Sequence, residues 1–361
     1  MNSVGDSSPQ VPVARAQRAP SQRATVYDVA ERAGVSIKTV SRVVTGAGSV
    51  SPDTRRRVEE AVAALSYVPN MAARSLRVGV GDTIGVIVDS IADPFFASLT
   101  AAIEDEALAH GMSVVIGSTG RDPLRVSDQV RRLVQQRVRG IIVAPVGRQT
   151  ELADAIGGHP AVFVDRSTDV PGIDTVRVAD RAAARRAVGH LLLHGHRRIA
   201  FFGDTNEVAT IVERRLGYRD ALRAAGIAPD PSLIFSGCGE TDTAAVATAD
   251  LLAGDSGATA IFASNPRAAV GITTTLHGAG RTDMALVSFG DFPLAAAVSP
   301  AVTVIDQDPF LMGAAAAGRL LARLDGDDSP AVDLRMPTPL IVRGSGELAP
   351  TTVRSANARV P

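Results

Sequence analysis

Residues 25–76 read TVYDVAERAGVSIKTVSRVVTGAGSVSPDTRRRVEEAVAALSYVPNMAARSL. Thr25 is placed to cap a helix with Asp28 three residues on. Val26, Val29, Ala30 and Ala33 then recur at helical spacing up to Gly34, which suits the left-handed turn that ends a helix. Ser36 offers a second N-cap with Thr39 following. Val40, Val43 and Val44 form an apolar stripe, while Ile37, Lys38, Ser41 and Arg42 fall largely on the other side. Ser51 and Pro52 begin a third helix, whose Val58, Ala61, Val62 and Leu65 are spaced to pack beneath the first two. Two short helices joined by a tight Gly-containing turn and backed by a third make the helix-turn-helix arrangement, whose second helix enters the major groove of DNA. A helical hairpin with no role on DNA has the same local spacing.

Charge placement separates these readings. Lys38 is the only lysine in the chain, and it sits near the start of the second helix. Residues 1–80 hold eleven Lys or Arg against six Asp or Glu, a net of +5, whereas the whole chain carries −1 and the remainder therefore −6. The front is the half suited to a polyanion. After Tyr67, the stretch 68–77 reads as a proline-started helical turn with small residues and one exposed leucine, followed by a Gly-rich linker.

The run YDVAERAGVS..TVSRVV, then VS..TR..V..A...L.Y.PN..AR.L, resembles the headpiece and hinge of the LacI family of bacterial transcription regulators, and the resemblance extends from Thr25 to about Pro350. It implies that Ile37 and Lys38 occupy positions that vary with operator sequence and that Arg42 makes a further base contact. It also implies that Leu76, with Ala72, wedges into the minor groove at the operator centre. Thr25, Tyr27, Ser36, Thr39, Ser41 and Asn70 complete the expected DNA-facing set. The wedge makes physical sense, because an apolar side chain between base steps accepts unstacking in return for a bent duplex with more contact.

Behind the headpiece, runs rich in Ile and Val appear at 84–88, 113–117, 140–144, 161–165, 199–203, 260–263 and 285–290, separated by helical stretches. This is a parallel, doubly covered α/β pattern. The expected fold is therefore an N-terminal all-α helix-turn-helix headpiece plus an α/β core of two doubly wound parallel-sheet subdomains, periplasmic-binding-protein-like by resemblance. The expected division is a disordered tail over 1–24, the headpiece over 25–69, a hinge helix and linker over 70–81, the core over 82–350 and a flexible tail over 351–361. Within the core, one subdomain takes 82–178 with 307–336 and the other 179–306 with 337–350.

Ligands of open α/β sheets bind beyond the carboxyl ends of the strands. Phe95 and Phe96 follow the first strand and match an aromatic pair at the family's cleft mouth, though core packing explains such rings equally well. Asp165 ends the fourth run, and Arg214 stands at the arginine of the family's ER..GY..AL pattern, so a carboxylate and a guanidinium are expected to face one cleft. Arg166 is read more as a brace at the hinge than as a ligand contact. Several family positions are altered: Asn265-Pro266 replaces Asn-Asp, Phe289-Gly290-Asp291 replaces Phe-Asp-Asp, and Ala179-Asp180 replaces Asp-Asn. Asn265 and Asp291 are left to hold vicinal hydroxyls, and the effector is open between a sugar, a sugar derivative and another metabolite.

Other classes find less support. The composition, 45% hydrophobic and 21% charged over 361 residues, is that of a globular chain with no apolar run near the ~20 residues of a membrane span. The first residues carry no hydrophobic signal-peptide segment, so a cytoplasmic location without membrane contact is expected. The single Cys238 forms no internal disulfide and reads as a buried small hydrophobe. His190, His194 and His196 cluster at a helix end, but the Gly195-His196 pair coincides with a helix-ending pair of the family, and no metal or cofactor is expected. No phosphate loop, nucleophile elbow or HExxH is present, so no catalysis is expected.

The resulting expectation is a ligand-responsive regulator, in the first instance a repressor. It would bind a near-palindromic operator as a homodimer, with half-sites about one helical turn apart. The small-molecule effector would change the angle between subdomains and couple to the hinge helices by ~1–3 kcal/mol. The last residues hold no leucine heptad, which argues against tetramers built on a terminal coiled coil. The alternative is a solute-binding or sugar-processing α/β protein whose helical front serves assembly.

Overall fold

The computed structural model describes residues 24–45, 49–67, 82–147, 149–166, 170–205 and 208–351, in two compact units: a three-helix unit and an α/β core. The expected hinge, with Asn70, Ala72 and Leu76, lies outside the described residues.

The three-helix unit comprises α1 (Val26–Ala33), α2 (Ile37–Thr45) and α3 (Pro52–Ala64). Thr25 and Asp28 form a reciprocal cap: Asp28 N–H donates to Thr25 Oγ1 at 3.4 Å, and Thr25 N–H donates to Asp28 Oδ2 at 2.8 Å. Gly34, at φ 62°, ends α1 in the left-handed region. The Arg57 guanidinium of α3 donates to the carbonyls of Ala33 and Gly34, satisfying acceptors at that helix end. Val29, Val40 and Val58, one from each helix, have no solvent exposure and form the centre of the core.

The core holds two six-stranded sheets. The strands are β1 (Thr83–Val88), β2 (Ser113–Ser118), β3 (Ile141–Val143), β4 (Ala161–Val164), β5 (Asp174–Val178), β6 (Ile199–Phe202), β7 (Ile234–Phe235), β8 (Ala260–Ala263), β9 (Ala285–Phe289), β10 (Thr303–Ile305), β11 (Asp333–Met336) and β12 (Leu340–Ile341). The first sheet runs β11-β5-β4-β3-β1-β2 and is parallel throughout. The second runs β12-β10-β9-β8-β6-β7. The chain passes between the lobes after β5, after β10 and between β11 and β12. One pair departs from the all-parallel expectation, since β12 lies antiparallel to β10 with Val304 opposite Ile341. The chain reaches that edge from β11 of the other sheet through Pro337 and Pro339, so it runs back along β10.

Helices cover the sheets: α4 (Pro94–Ala109), α5 (Pro123–Gln135), α6 (Gln149–Ile156), α7 (Asp180–Leu193), α8 (Ala209–Ala224), α9 (Thr241–Ala253), α10 (Pro266–Gly278) and α11 (Pro309–Leu324). Four of them start with the same device, an Asp or Asn cap followed by proline at the first helical position. Asp93 accepts from Phe95 N–H at 3.0 Å, Asp122 from Leu124 N–H at 2.9 Å, Asn265 from Ala268 N–H at 2.8 Å and Asp308 from Leu311 N–H at 2.9 Å. Two of these caps, Asp93 and Asn265, stand beside the cleft between the lobes. No helix among the described residues is long and apolar enough to cross a membrane.

Candidate DNA-binding face and effector cleft

On the three-helix unit, amphipathic spacing decides which side chains reach outward. Val40 and Val43 of α2 are buried, which turns Lys38 and Arg42, one helical turn apart, to solvent. Tyr27 of α1 is 68% exposed, so its ring stands beyond the core. Thr25 and Ser36 are exposed, but both are also engaged as caps. Ser36 Oγ accepts from Thr39 N–H at 3.2 Å and lies 2.9 Å from Thr39 Oγ1. Thr39 and Ser41 are half-buried on the flanks. Ile37 corrects the expectation that set it with Lys38 on the outer side. It is half-buried against the headpiece core, because it lies three residues before Val40 and seven before Val44 and so shares their stripe.

The cleft is densely charged and closed. Asp89, just past β1, receives two hydrogen bonds from Arg166 past β4, that from Nη1 at 2.9 Å. Arg121, in the turn after β2, lies 3.8 Å from Asp89 and reaches across the cleft to Asp204, past β6, and to Glu240 at 2.5 Å. Arg267 of α10 reaches back to Asp93 at 3.5 Å and also lies 3.2 Å from Glu240. The lobes are thus joined by two arginines contributed in opposite directions. The cavity they enclose measures about 60 Å³, far below the ~300–1,000 Å³ of small-molecule pockets.

The expected effector residues divide. Arg214 and Asp165 both line this cavity, with Asn265, Phe95 and Phe96. Arg214 is already engaged: Nε donates to Asp180 at 2.7 Å, Nη1 donates to the Ser264 carbonyl at 2.7 Å, and the guanidinium lies 3.8 Å over the Phe289 ring. Asp165 is buried, and burial pushes its carboxyl up to about 6, against the pull of Arg166 and Arg214. The oxygen of Asn265 is committed to the cap of α10, which also explains the proline that follows it. Phe96 is a core residue at 4% exposure, and Phe95 meets it edge-on at 5.1 Å while remaining half-exposed.

Asp291 does not line this cavity. It faces an adjoining recess of 290 Å³, shared by Phe95, Pro266 and Gln307, and its carboxylate binds Arg343 Nη1 at 2.8 Å. That arginine holds its carboxyl below the usual range.

Asp89, Arg121, Asp204, Arg267 and Gln307 were not singled out from the sequence. Asp89, Asp204 and Gln307 follow β1, β6 and β10, so the rule that ligands sit beyond strand ends could have found them. Arg121 carries no such signal. Gln307, 3% exposed, lines both recesses, and its amide nitrogen is buried without a hydrogen-bond partner among the described residues.

The histidine cluster is structural. His196 is fully buried, its Nε2 donates to the Leu348 carbonyl at 2.8 Å, and its Nδ1 lies 2.9 Å from Thr259 Oγ1. Burial lowers its pKa and favours the neutral ring. His190 pairs with Glu347, and His194 hydrogen-bonds its own helix at the His190 carbonyl. Among the described residues no His, Cys, Asp and Glu group is placed to hold a metal ion. Cys238 is buried, and desolvation raises its thiol pKa.

Comparison with known proteins covers both units. The family described as bacterial regulatory proteins, lacI family, matches residues 25–70, and that described as periplasmic binding proteins and sugar binding domain of LacI family matches 81–339. The HTH-type transcriptional regulator CelR of Thermobifida fusca is 33% identical over 337 residues, 90% of this chain and 99% of its own. GalR of Escherichia coli strain K12 is 30% identical over 342 residues, 93% and 99% of the two chains. Among solved structures, the lac repressor dimer bound to operator and the anti-inducer ONPF has a TM-score of 0.80 at 30% identity, covering 91% of this chain and 100% of that one. The CelR–cellobiose complex has a TM-score of 0.66 at 31% identity, covering 90% and 100%.

Proposed function

The chain belongs to the LacI family of bacterial regulatory proteins, and from that premise we propose that it works as a homodimeric repressor in the cytoplasm, released from or held on a near-palindromic operator by a small polar effector. It is a DNA-binding transcription regulator, of a family made of regulators and not of enzymes. The alternative of a solute-binding protein with an assembly front falls away, because the front itself matches the family's DNA-binding model.

The observation that carries the DNA reading is the exposed pair Lys38 and Arg42 on the face of α2 opposite its buried valines. On this reading both enter the major groove, with Tyr27, Ser36 and the outer flank of Ile37 beside them and Thr25, Thr39 and Ser41 toward the backbone. Asn70, Ala72 and Leu76 take the hinge role at the operator centre. The working division is that of headpiece 25–69, hinge 70–81 and core 82–350.

For the effector, Asp165, Arg214, Asn265, Phe95 and Phe96 form the inner site, with Asp89, Arg121 and Gln307 added and Asp291 kept for the adjoining recess. Unpartnered Gln307 Nε2 and the paired guanidiniums suit a ligand rich in hydroxyl or carboxylate oxygens. A thermal-shift screen of the full chain with sugars, sugar phosphates and nucleobases tests this. A hit whose stabilisation is lost in Gln307→Ala supports the site, and a hit indifferent to that change contradicts it.

A further inference from the structure

A second cavity, of 830 Å³, shares no lining residue with the cleft. It is arginine-rich: Arg177 of β5, Arg335 of β11, and Arg181, Arg185 and Arg186 of α7 line it. Pairing does not cancel this charge. Asp333 is shared by Arg177, at 2.7 and 2.8 Å, and by Arg335, at 3.1 and 3.2 Å. Asp220 takes Arg181 at 2.6 Å. Asp180 lines the cavity but is neutralised from elsewhere, by Arg214. Arg186 donates to the neutral carbonyl and hydroxyl of Thr338. Arg185 makes no hydrogen bond or ion pair among the described residues and only adds to the field that lowers the Asp220 pKa. Five guanidiniums against Asp220, Asp333 and the lining Glu213 leave +2.

We propose that this cavity is a second ligand site, separate from the cleft, that takes a small phosphorylated metabolite. Its volume falls within the usual ~300–1,000 Å³ range. Guanidinium forks match phosphoryl oxygens in pairs, and three arginines offered from one helix and two from neighbouring strands surround an anion on more than one side. The first turn of α7 adds to this, since its N-cap, Ala179, has no side chain to accept from the N–H groups there. The location gives the site leverage. Arg177 stands two residues before Ala179, where the chain leaves the first lobe, and Arg186 holds Thr338, on the segment that crosses between β11 and β12. A ligand here touches both lobes beside two of their three connections.

Isothermal titration of pyrophosphate into the full chain, at fixed ionic strength, tests the proposal. Saturable binding at one site per protomer is expected. Arg185→Glu should weaken it by about tenfold or more, the loss of one charge-assisted contact, without changing the melting temperature, because Arg185 is exposed and unpaired. Arg121→Ala in the cleft and Lys38→Ala on the headpiece should leave pyrophosphate affinity as it was. No saturable binding, equal affinity in Arg185→Glu, or loss in either of the other two variants would overturn it.

Discussion

Arg121 and Asp204 belong to different lobes of the core and form an ion pair across the mouth of the cleft. Neither side chain is more than 20% exposed, so the pair is only partly screened by water. Together with Arg267 and Asp93 it keeps the enclosed space at about 60 Å³. Admission of an effector therefore requires these ion pairs to part, and the ligand's polar atoms must replace what the arginines lose.

Arg121→Ala should loosen that closure. With one partner gone, Asp204 is left half-compensated, and stability should fall by about 1–3 kcal/mol, between the values for exposed and buried pairs. Denaturant unfolding of the variant measures the loss, and small-angle scattering reads the lobe separation. An unchanged midpoint and an unchanged scattering curve would show that the bridge holds nothing closed.

Asp165 gives a pH signature. Its folded value of about 6 lies above the unfolded value of 3.8, so the folded chain holds the proton more tightly. The contribution is complete below pH 4 and is lost as pH rises through 6, a change on the order of 3 kcal/mol. Asp165→Asn removes the titration, and asparagine tolerates the left-handed backbone found there, at φ 69°. The stability difference between variant and wild type should move in favour of the variant from pH 4 to pH 7. A pH-independent difference would contradict the burial argument.

Gly217 marks the tightest approach of α8 to α7. A Cβ there would meet the Arg181 carbonyl oxygen at 2.3 Å and Ala184 Cβ at 2.9 Å. Gly217→Ala must push the helices apart and should cost at least ~1–3 kcal/mol, in line with overpacked cores. A melting temperature equal to wild type would mean that the two helices slide freely, against the packing described.

The headpiece was legible in the sequence because its signals are local. Thr25, Gly34, Ser36, Ser51 and Pro52 mark helix ends within a few residues, and the valine spacing supplies the core. The long apolar strands, such as β1 and β9, announce themselves in the same way. Strands β5 and β11 do not, since Asp174, Arg177, Asp333 and Arg335 interrupt them at the sheet edge, where charge is tolerated and pairing depends on distant residues. Strands β7, β10 and β12 are too short to show a period. The cleft was legible only in part: Arg214 and Asp165 follow from motif and strand end, but Arg121 meets Asp204 across 83 positions of chain, a closure that no local pattern encodes. Ile37 was misplaced because a helix face is a continuum, and its flank leans toward the stripe.

The central claim concerns DNA, and selection of duplexes from a random pool by the full chain, followed by anisotropy titration of the winner, tests it most directly. The account predicts a two-fold-symmetric site bound by a dimer at least ~10³-fold more tightly than random duplex. Lys38→Ala should relax base preference in each half-site at a cost of about 1–3 kcal/mol. A pool without enriched symmetry, or a Lys38→Ala variant that selects the same sequence with the same affinity, would contradict it.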